Sequence, residues 1–246
     1  MMKSKVSCRY KKVIILLSFL ACLHPLAALA NCCGEGVLHL GWFTSKQGKS
    51  QHIAIEGLIG DDFRVSKSTD QNFLVGVGYY LKGYDTCQVN LRYGINAFYL
   101  APTRVRGDVT QEDLFTNLSY HYSRTNYPIY FAAKALIPCG SAYAIVVDLG
   151  MGPNIMRTSH FKERSLDGGI TLPDAHLFSG KSSVVFSATA GLGWRMNSFF
   201  ENHSLEINYR FFYLGHGELK KGNDQVINTL RTGNSYANAL FFTLSI

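Results

Sequence analysis

The feature that most constrains the fold is a long alternation of apolar and polar side chains over Val184–Leu214. Alternation with a period of two indicates β-strands, and two such runs around a short polar turn indicate a hairpin. The runs are Val184–Met196 and Ser204–Leu214. One face of this hairpin carries large apolar side chains, whereas the other carries glycine, serine, asparagine and full charges such as Arg195 and Glu206.

This distribution favours a membrane barrel over a soluble sandwich. A soluble sheet turns its large apolar residues towards a shared core and its charges towards water. A barrel in a bilayer presents the large residues to lipid and fills a narrow lumen with small and polar ones. The sequence therefore predicts an all-β, antiparallel, up-and-down transmembrane β-barrel.

The same kind of alternation predicts eight strands in all. Besides the hairpin, they are Val37–Ser45, Asn72–Leu81, Gln88–Tyr99, Leu118–Leu136, Ala142–Asn154 and Tyr236–Ile246. A change of phase near Asn126–Pro128 in the fourth strand is interpreted as a β-bulge. An even number of strands closes the sheet, so that no unpaired edge faces lipid.

The predicted connections alternate between short and long. The short ones are Lys82–Thr86, Ile137–Ser141 and Asn197–His203, and the long ones are Lys46–Gln71, Leu100–Asn117, Thr158–Ser182 and Gly217–Ser235. This pattern is typical of outer-membrane barrels, which have long extracellular loops and short periplasmic turns. Both termini are then expected in the periplasm. Four long loops on a rigid scaffold are a usual place for recognition, and solvated loops that only cover the barrel are the alternative.

Residues 1–30 have the features of a secretory signal peptide. A basic start precedes the apolar stretch Val13–Leu23, and Ala28–Ala30 forms a typical cleavage site. We expect cleavage before Asn31, which leaves residues 31–246 as the barrel domain. The first 30 residues hold five of the 24 Lys and Arg residues and none of the 17 Asp and Glu residues, so the mature chain has a net charge of +2. This balance does not indicate nucleic-acid binding.

The predicted strands resemble those of small outer-membrane β-barrel proteins of the OmpA/OmpX type in the stretches FLVGVGYYL, CQVNLRYGINAFYL, AGLGWRMN and LEINYRFFY. The resemblance covers most of the mature chain. It implies an outer-membrane location, contact with outer-membrane lipid and lipopolysaccharide, and insertion by the barrel-assembly machinery. It departs at Ile246, which stands where this group usually ends in Phe, and this implies less efficient recognition by that machinery. No peptidoglycan-binding domain is expected after the last strand.

Charged residues on the inward faces predict a paired polar core. They are Arg92, Lys134, Asp148, Arg195, Glu206 and Arg210. With tight turns, Arg195 faces Glu206, and Lys134 lies within diagonal reach of Asp148. In the same register Gly76 makes room for Arg92, and Gly191 makes room for Arg210. Side chains can just fill an eight-stranded barrel, so we expect a packed lumen. A narrow gated pore, whose ion pairs rearrange, is the alternative.

The favoured function is non-enzymatic: a structural or surface-interaction protein whose loops contact lipopolysaccharide, a host surface or a neighbouring barrel. A lipid-modifying hydrolase is a further hypothesis, since some barrels of this size modify lipopolysaccharide with Ser and His at the outer rim. Here His121 and Ser123 share one face of the fourth strand. A serine nucleophile also needs an orienting acid, and Glu112 and Asp113 in the preceding loop are the nearest in sequence. No cofactor or metal is expected.

Four cysteines remain after cleavage, all at the predicted periplasmic end: Cys32, Cys33, Cys87 and Cys139. Because the periplasm is oxidising, we expect one or two disulfides that join Cys32 and Cys33 to Cys87 and Cys139. A strained bond between Cys32 and Cys33 is less favoured. Free thiols and intermolecular disulfides are less favoured as well. A metal site is the least favoured, since the cysteine spacing matches no zinc pattern.

Mass spectrometry of the mature protein under non-reducing conditions is expected to find fewer than four free thiols, because the N-terminal segment is tied to the barrel rim. Four free thiols would exclude this disulfide bonding.

Overall fold

The computed structural model describes residues 34–174, 176–200 and 203–246. These residues form the strands β1 (Gly34–Lys46), β2 (Gln51–Ile53), β3 (Asp61–Lys67), β4 (Thr69–Asp85), β5 (Asn90–Gln111), β6 (Phe115–Pro138), β7 (Tyr143–Ser165), β8 (Phe178–Ser179), β9 (Ser182–Phe200), β10 (His203–Glu218), β11 (Lys220–Lys221) and β12 (Arg231–Ser245). Within these ranges no helix is long and apolar enough to span a bilayer. The predicted signal peptide, Cys32 and Cys33 lie outside the described residues.

Eight of these strands close into an antiparallel barrel, in the order β1, β4, β5, β6, β7, β9, β10, β12 and back to β1. The closing pair is continuous, with Val37 opposite Ser245 at one end and Lys46 opposite Tyr236 at the other. The predicted eight-stranded, up-and-down barrel is therefore confirmed. We call the end with the short connections 86–89, 139–142 and 201–202 the turn end, and the opposite end the loop end.

The outer wall of this barrel carries the large apolar side chains, and the interior carries the charges. Phe186 and Leu192 are 61% and 58% exposed, whereas Glu206 is completely buried. The same exposed band includes Leu40, Val77, Ile95, Phe131, Leu149, Ile207 and Leu240. An apolar exterior around a polar lumen is the arrangement of a barrel in lipid, and the predicted transmembrane barrel is confirmed in this respect.

The long connections contain more β-structure than the sequence predicted. β5 and β6 continue as a hairpin that ends in a turn at 112–114. β3 pairs with the upper part of β5, β2 pairs with β3, and β8 pairs with β11. The barrel wall thus continues beyond the apolar band at the loop end. We call this part, residues 47–71, 101–126, 157–183 and 215–235, the extension.

The extension encloses a hydrophobic core of its own. The ring of Phe63, which is completely buried, lies 5.0 Å from Tyr120, 5.9 Å from Phe178 and 6.5 Å from Phe161 between ring centroids. The other members of this core are Ile53, Val105, Val109, Leu118, Tyr122, Leu177, Leu219, Val226 and Leu230. The extension therefore has an apolar interior, as a water-soluble protein does, whereas the lumen below it is lined by charges.

The polarity of the wall reverses where the band meets the extension, and β6 shows this reversal without a bulge. Phe131 and Tyr127 point outward, whereas Tyr122 is buried inside, yet β6 keeps a single register with β7 across Asn126–Pro128. The bulge predicted at this place is wrong. The change of phase in the sequence marks apolar residues that move from the outer face to the inner face.

The bulge lies instead in the neighbouring strand β5, where the register shifts between Leu100 and Thr103. Pro102, within this shift, has no N–H group to donate, and proline is confined in sheets to edges and bulges. The extra residue reverses the direction of every later side chain. Tyr99 therefore faces outward on the barrel, whereas Val105 is buried inside the extension.

Replacing Leu149 by Arg is expected to destabilise the barrel by about 2–4 kcal/mol, because this side chain lies on the lipid face in the middle of the apolar band. Leu149 is 57% exposed, and the control residue Leu166, in the extension, is 53% exposed. Leu166→Arg should change stability by less than about 0.5 kcal/mol, since its side chain meets water. Urea unfolding in lipid vesicles, followed by gel migration of unboiled samples, compares the two variants. Equal losses would contradict the lipid contact.

Candidate functional site

The turn-end half of the lumen holds a buried network of charges centred on Glu206. Its two carboxylate oxygens accept hydrogen bonds from Nζ of Lys134, each at 2.9 Å. Oε1 also accepts one from Nη1 of Arg195 at 3.2 Å, and Nη2 of Arg195 bonds Glu35 at 2.7 Å. The Glu206 side chain is fully buried and that of Lys134 is 2% exposed, so each charge depends on its partner rather than on water.

A second pair lies beside this network. Nη2 of Arg210 is 2.9 Å from Oδ2 of Asp148. The hydroxyl of Tyr80 donates to Oδ1 of Asp148 at 3.3 Å and accepts a hydrogen bond from Asn96 at 2.6 Å. Together the two groups contain three cations and three carboxylates, so this half of the lumen is electrically balanced.

Five of the six predicted lumen charges meet in these two groups, and Arg92 does not. The cross-strand pairs predicted for β9 and β10 are present, because Arg195 lies opposite Glu206 and Gly191 lies opposite Arg210. Lys134 and Asp148 are directly opposite each other on the backbone, but the ammonium group of Lys134 bonds Glu206.

The predicted pairing of Gly76 with Arg92 is wrong. Gly76 lies opposite Phe98, and Arg92 lies opposite Lys82 and bonds Asp85 near the turn end. β4 continues to Asp85, so the turn comes later in the chain than predicted and the register of the pair changes. Glu35, which sequence reasoning missed, precedes the predicted first strand, although β1 begins at Gly34.

An aromatic layer fills the lumen next to the charges. The ring of Phe98 lies 4.9 Å from His39, 5.5 Å from Phe212 and 6.2 Å from Phe241 between centroids. The guanidinium of Arg210 lies over Phe98 at 5.3 Å and over Phe241 at 5.1 Å, within cation–π range. Ion pairs and aromatic rings thus pack the narrow lumen, as expected for eight strands.

Arg124 is buried between this aromatic layer and the core of the extension. Its Nη1 donates to the hydroxyl of Ser235, while its Nε and Nη2 atoms have no hydrogen-bond partner. No carboxylate of the described residues pairs with it, in contrast to Lys134 and Arg210. Arg124 therefore carries the least compensated charge inside the barrel.

The predicted hydrolase residues His121 and Ser123 lie on the outer wall of the extension. The pKa of His121 is lowered by partial burial and by the nearby positive charges of Arg104 and Lys162. Acidic residues such as Asp70 and Asp108 border the same space, but among the described residues no hydrogen bond joins His121 to Ser123 or to a carboxylate. The base and orienting acid that a serine nucleophile requires are therefore not assembled here. Asp113 lies elsewhere, at the tip of the extension beside His52.

That tip holds one group with metal-ligand chemistry: His52, Asp62 and Asp113 have ligand atoms within 4.8 Å of one another. Both nitrogens of His52 already face acceptors, the Asp62 carboxylate at 3.0 Å and the Ile59 carbonyl at 2.9 Å. The hydrogen bond to Asp62 raises the pKa of His52. Each ring nitrogen of His52 is thus engaged by an oxygen of the protein, and a metal ion would have to displace one of these two hydrogen bonds.

Sequence reasoning missed a cationic groove on the outer wall of the extension. Its sides are Arg104 and Arg106 on β5 and Lys162 and Arg164 on β7, and its floor on β6 is Ser119, His121 and Ser123. The signal was present in the sequence, because Thr103–Gly107 continues the alternation of a strand through a stretch predicted as a loop.

The remaining predicted cysteines lie at the turn end. Cys87 is in the connection between β4 and β5, and Cys139 is in the connection between β6 and β7. Both are exposed, and neither forms a disulfide with another described residue. Because Cys32 and Cys33 lie outside those residues, the disulfides stay a prediction.

No protein-family model matches this sequence, and no curated protein matches it. Similar solved structures include Neisserial surface protein A, with 10% identity over 86% of this chain and 96% of that chain and a TM-score of 0.41. Outer membrane protein OprG of Pseudomonas aeruginosa has 15% identity over 87% and 96% of the two chains and a TM-score of 0.46. Outer membrane protease OmpT of Escherichia coli has 8% identity over 88% and 96%, with a TM-score of 0.45. The strand pairing described above, rather than these likenesses, defines the fold.

Replacing Glu206 by Gln is expected to destabilise the protein by about 3–5 kcal/mol, because it leaves a buried cation without its carboxylate. Adding Lys134→Met to Glu206→Gln should recover most of this loss. The double variant keeps Arg195 paired with Glu35 and Arg210 paired with Asp148. Urea unfolding in lipid vesicles, monitored by tryptophan fluorescence, measures both. A double variant less stable than the single one would contradict a charge-balanced lumen.

Proposed function

We propose that this chain is a non-enzymatic outer-membrane protein that holds a rigid folded extension at the cell surface for structural contacts or surface interactions. The observation that carries the proposal is the core of the extension, in which Phe63, Val105 and Tyr120 are almost completely buried. Flexible loops would need no such core. A packed wall that continues the barrel keeps its outer face in one conformation, and this pre-organisation favours recognition.

The orientation follows from the connections. The turn end has short connections and the extension is at the loop end, and outer-membrane barrels place short turns in the periplasm. β1 begins at Gly34 and β12 ends at Ser245, and both of these residues lie at the turn end. We therefore place both termini in the periplasm, after removal of residues 1–30 as a signal peptide and insertion by the barrel-assembly machinery.

The contents of the lumen favour this function over a pore. A conducting path requires water along the axis, but Phe98, Phe212 and Phe241 meet in the lumen and are each at most 4% exposed. The ion pairs of Glu206 and Asp148 occupy the next layer. Opening a path would require these partners to separate in a medium where an unpaired charge costs several kcal/mol.

The surface position is tested by labelling whole cells with a membrane-impermeant maleimide. Ile170→Cys, 86% exposed in the extension, is expected to react in intact cells. The wild-type protein, whose Cys87 and Cys139 are at the turn end, should react only after lysis and reduction. Labelling of the wild type in intact cells, before any lysis, would reverse the orientation.

Conductance measurements in planar bilayers test the pore alternative, and analysis of lipid A tests the hydrolase alternative. Reconstituted protein is expected to give no single-channel current, and the acyl pattern of lipid A should be the same with and without it. Stable unitary currents would instead establish a pore, and a changed acyl pattern would establish a hydrolase.

A further inference from the structure

The cationic groove has the geometry of a binding cradle. His121 on the floor lies opposite Arg106 of β5 on one side and Lys162 of β7 on the other. Adjacent strands are about 4.8 Å apart, so the two cationic sides are roughly 10 Å apart across a floor of short polar side chains. Two adjoining cavities of about 660 and 610 Å³, which share Arg104, Arg106, His121 and Lys162, occupy this space.

The cationic side chains of this groove have no ion-pair partner among the described residues. Two other cations of the extension are paired, Arg64 with Asp62 and Lys181 with Glu218, whereas exposed cations such as Lys67 and Lys220 form no ion pair with a described residue. The groove differs from the rest of the extension because it brings four such cations together. None of the four side chains on the groove's two sides forms an ion pair with a described residue, and all four are exposed: Arg104, Arg106, Lys162 and Arg164.

Acidic residues also border the groove, but they do not balance it. The carboxylate of Asp70 accepts the backbone N–H of Arg104 at 2.8 Å, and Asp108 lines the first cavity. Glu163 lines it too, and burial raises the pKa of its carboxyl to about 7, so that the group is only partly ionised near neutral pH. The space between the two cationic sides therefore keeps an excess of positive charge.

The groove lies beside the membrane surface and opens sideways. Phe73, Tyr99 and Tyr127 form a continuous aromatic row on the outer wall, with ring centroids 6.0 and 5.4 Å apart, as expected at a membrane interface. Ser123 precedes Tyr127 by four residues on β6 and lies farther towards the loop end. The distance between them is about 13 Å along the strand and less along the membrane normal, because barrel strands are tilted. The floor of the groove therefore lies just beyond the aromatic row, beside the headgroup level at which such a row is expected to lie.

We propose that the cationic groove binds the phosphate groups of a glycolipid headgroup in the leaflet that surrounds the barrel, an inference that rests on the proposed function. Guanidinium groups bind phosphate oxygens through paired hydrogen bonds, and the floor hydroxyl of Ser123 adds a further donor. A ligand tethered in the leaflet reaches a lateral groove at headgroup height directly. A soluble polyanion would have to enter between the extension and the headgroups, so the position favours the lipid.

The test compares the mature protein with Arg104→Gln/Arg106→Gln, reconstituted in phosphatidylcholine nanodiscs that contain lipid A with two phosphates. The matched control, Lys220→Gln/Arg231→Gln, removes the same charge from exposed residues on the opposite wall. Native mass spectrometry after detergent release counts the lipid A molecules retained by each protein. Loss of two charge-assisted contacts should weaken retention roughly tenfold or more in the groove variant, with the control within about twofold of wild type.

Each other outcome overturns the assignment. Equal loss in both variants would show a general charge effect, and no retention by the wild type would show no site. Inorganic phosphate or heparin that displaces lipid A when added at equal phosphate or sulfate concentration would assign the groove to a soluble anion. Gel migration of unboiled samples confirms that the groove variant is folded. Surface labelling of the Ile170→Cys variant tests the proposed function separately, so the two tests remain distinguishable if the groove does not retain lipid A.

Discussion

Closure of the sheet by β1 and β12 is the constraint on which the rest of the structure depends. In hydrocarbon every backbone N–H and C=O must bond within the protein, so an open strand edge is excluded. The closing pair runs without a register shift from Val37 to Lys46. Closure with eight strands also fixes a narrow lumen, just wide enough for side chains. The interior must therefore be filled by the inward-facing side chains of the strands, because the outward-facing ones contact lipid.

Paired charges and adjacent aromatic rings fill the lumen. Carboxylates and cations are present in equal number around Glu206 and Asp148, so a buried charge does not stand alone in that half. Arg210 joins the two layers, because its guanidinium pairs with Asp148 while its face lies over Phe98. A buried ion pair gives limited net stability, since desolvation offsets attraction. Its stronger effect is on specificity: a strand in a shifted register would separate the partners and bury them unpaired.

The sequence could predict the barrel and part of this network, and the limits have a physical cause. The alternation of apolar and polar side chains within a strand depends only on which face of the strand contacts lipid. The number of strands and the outward-facing side chains of each were therefore predictable. Register depends on the turn. The pairing of Arg195 with Glu206 was predictable because the turn between β9 and β10 is where the alternation stops. The pairing of Arg92 was not, because β4 continues through Lys82 to Asp85 without an apolar signal. The extension was missed for a related reason: its apolar residues lie on the inner face, so its strands do not follow the outward-apolar rule of the band.

The reversal of polarity at the loop end connects the fold to the surface chemistry. Below it, odd-numbered residues of β5 such as Tyr99 face lipid; beyond the register shift at Pro102, odd-numbered residues such as Val105 face the core. The same shift turns Arg104 and Arg106 outward, immediately beyond the aromatic row. A strand without the bulge would have placed these guanidinium groups inside and the valines in water. One extra residue in β5 therefore places Val105 and Val109 in the core of the extension and turns Arg104 and Arg106 to its outer face. β7 has a register shift of its own between Ser159 and Lys162, which buries Phe161 and turns Lys162 and Arg164 outward. Two such shifts, one on each side of β6, therefore produce both the core of the extension and the cations on its outer face.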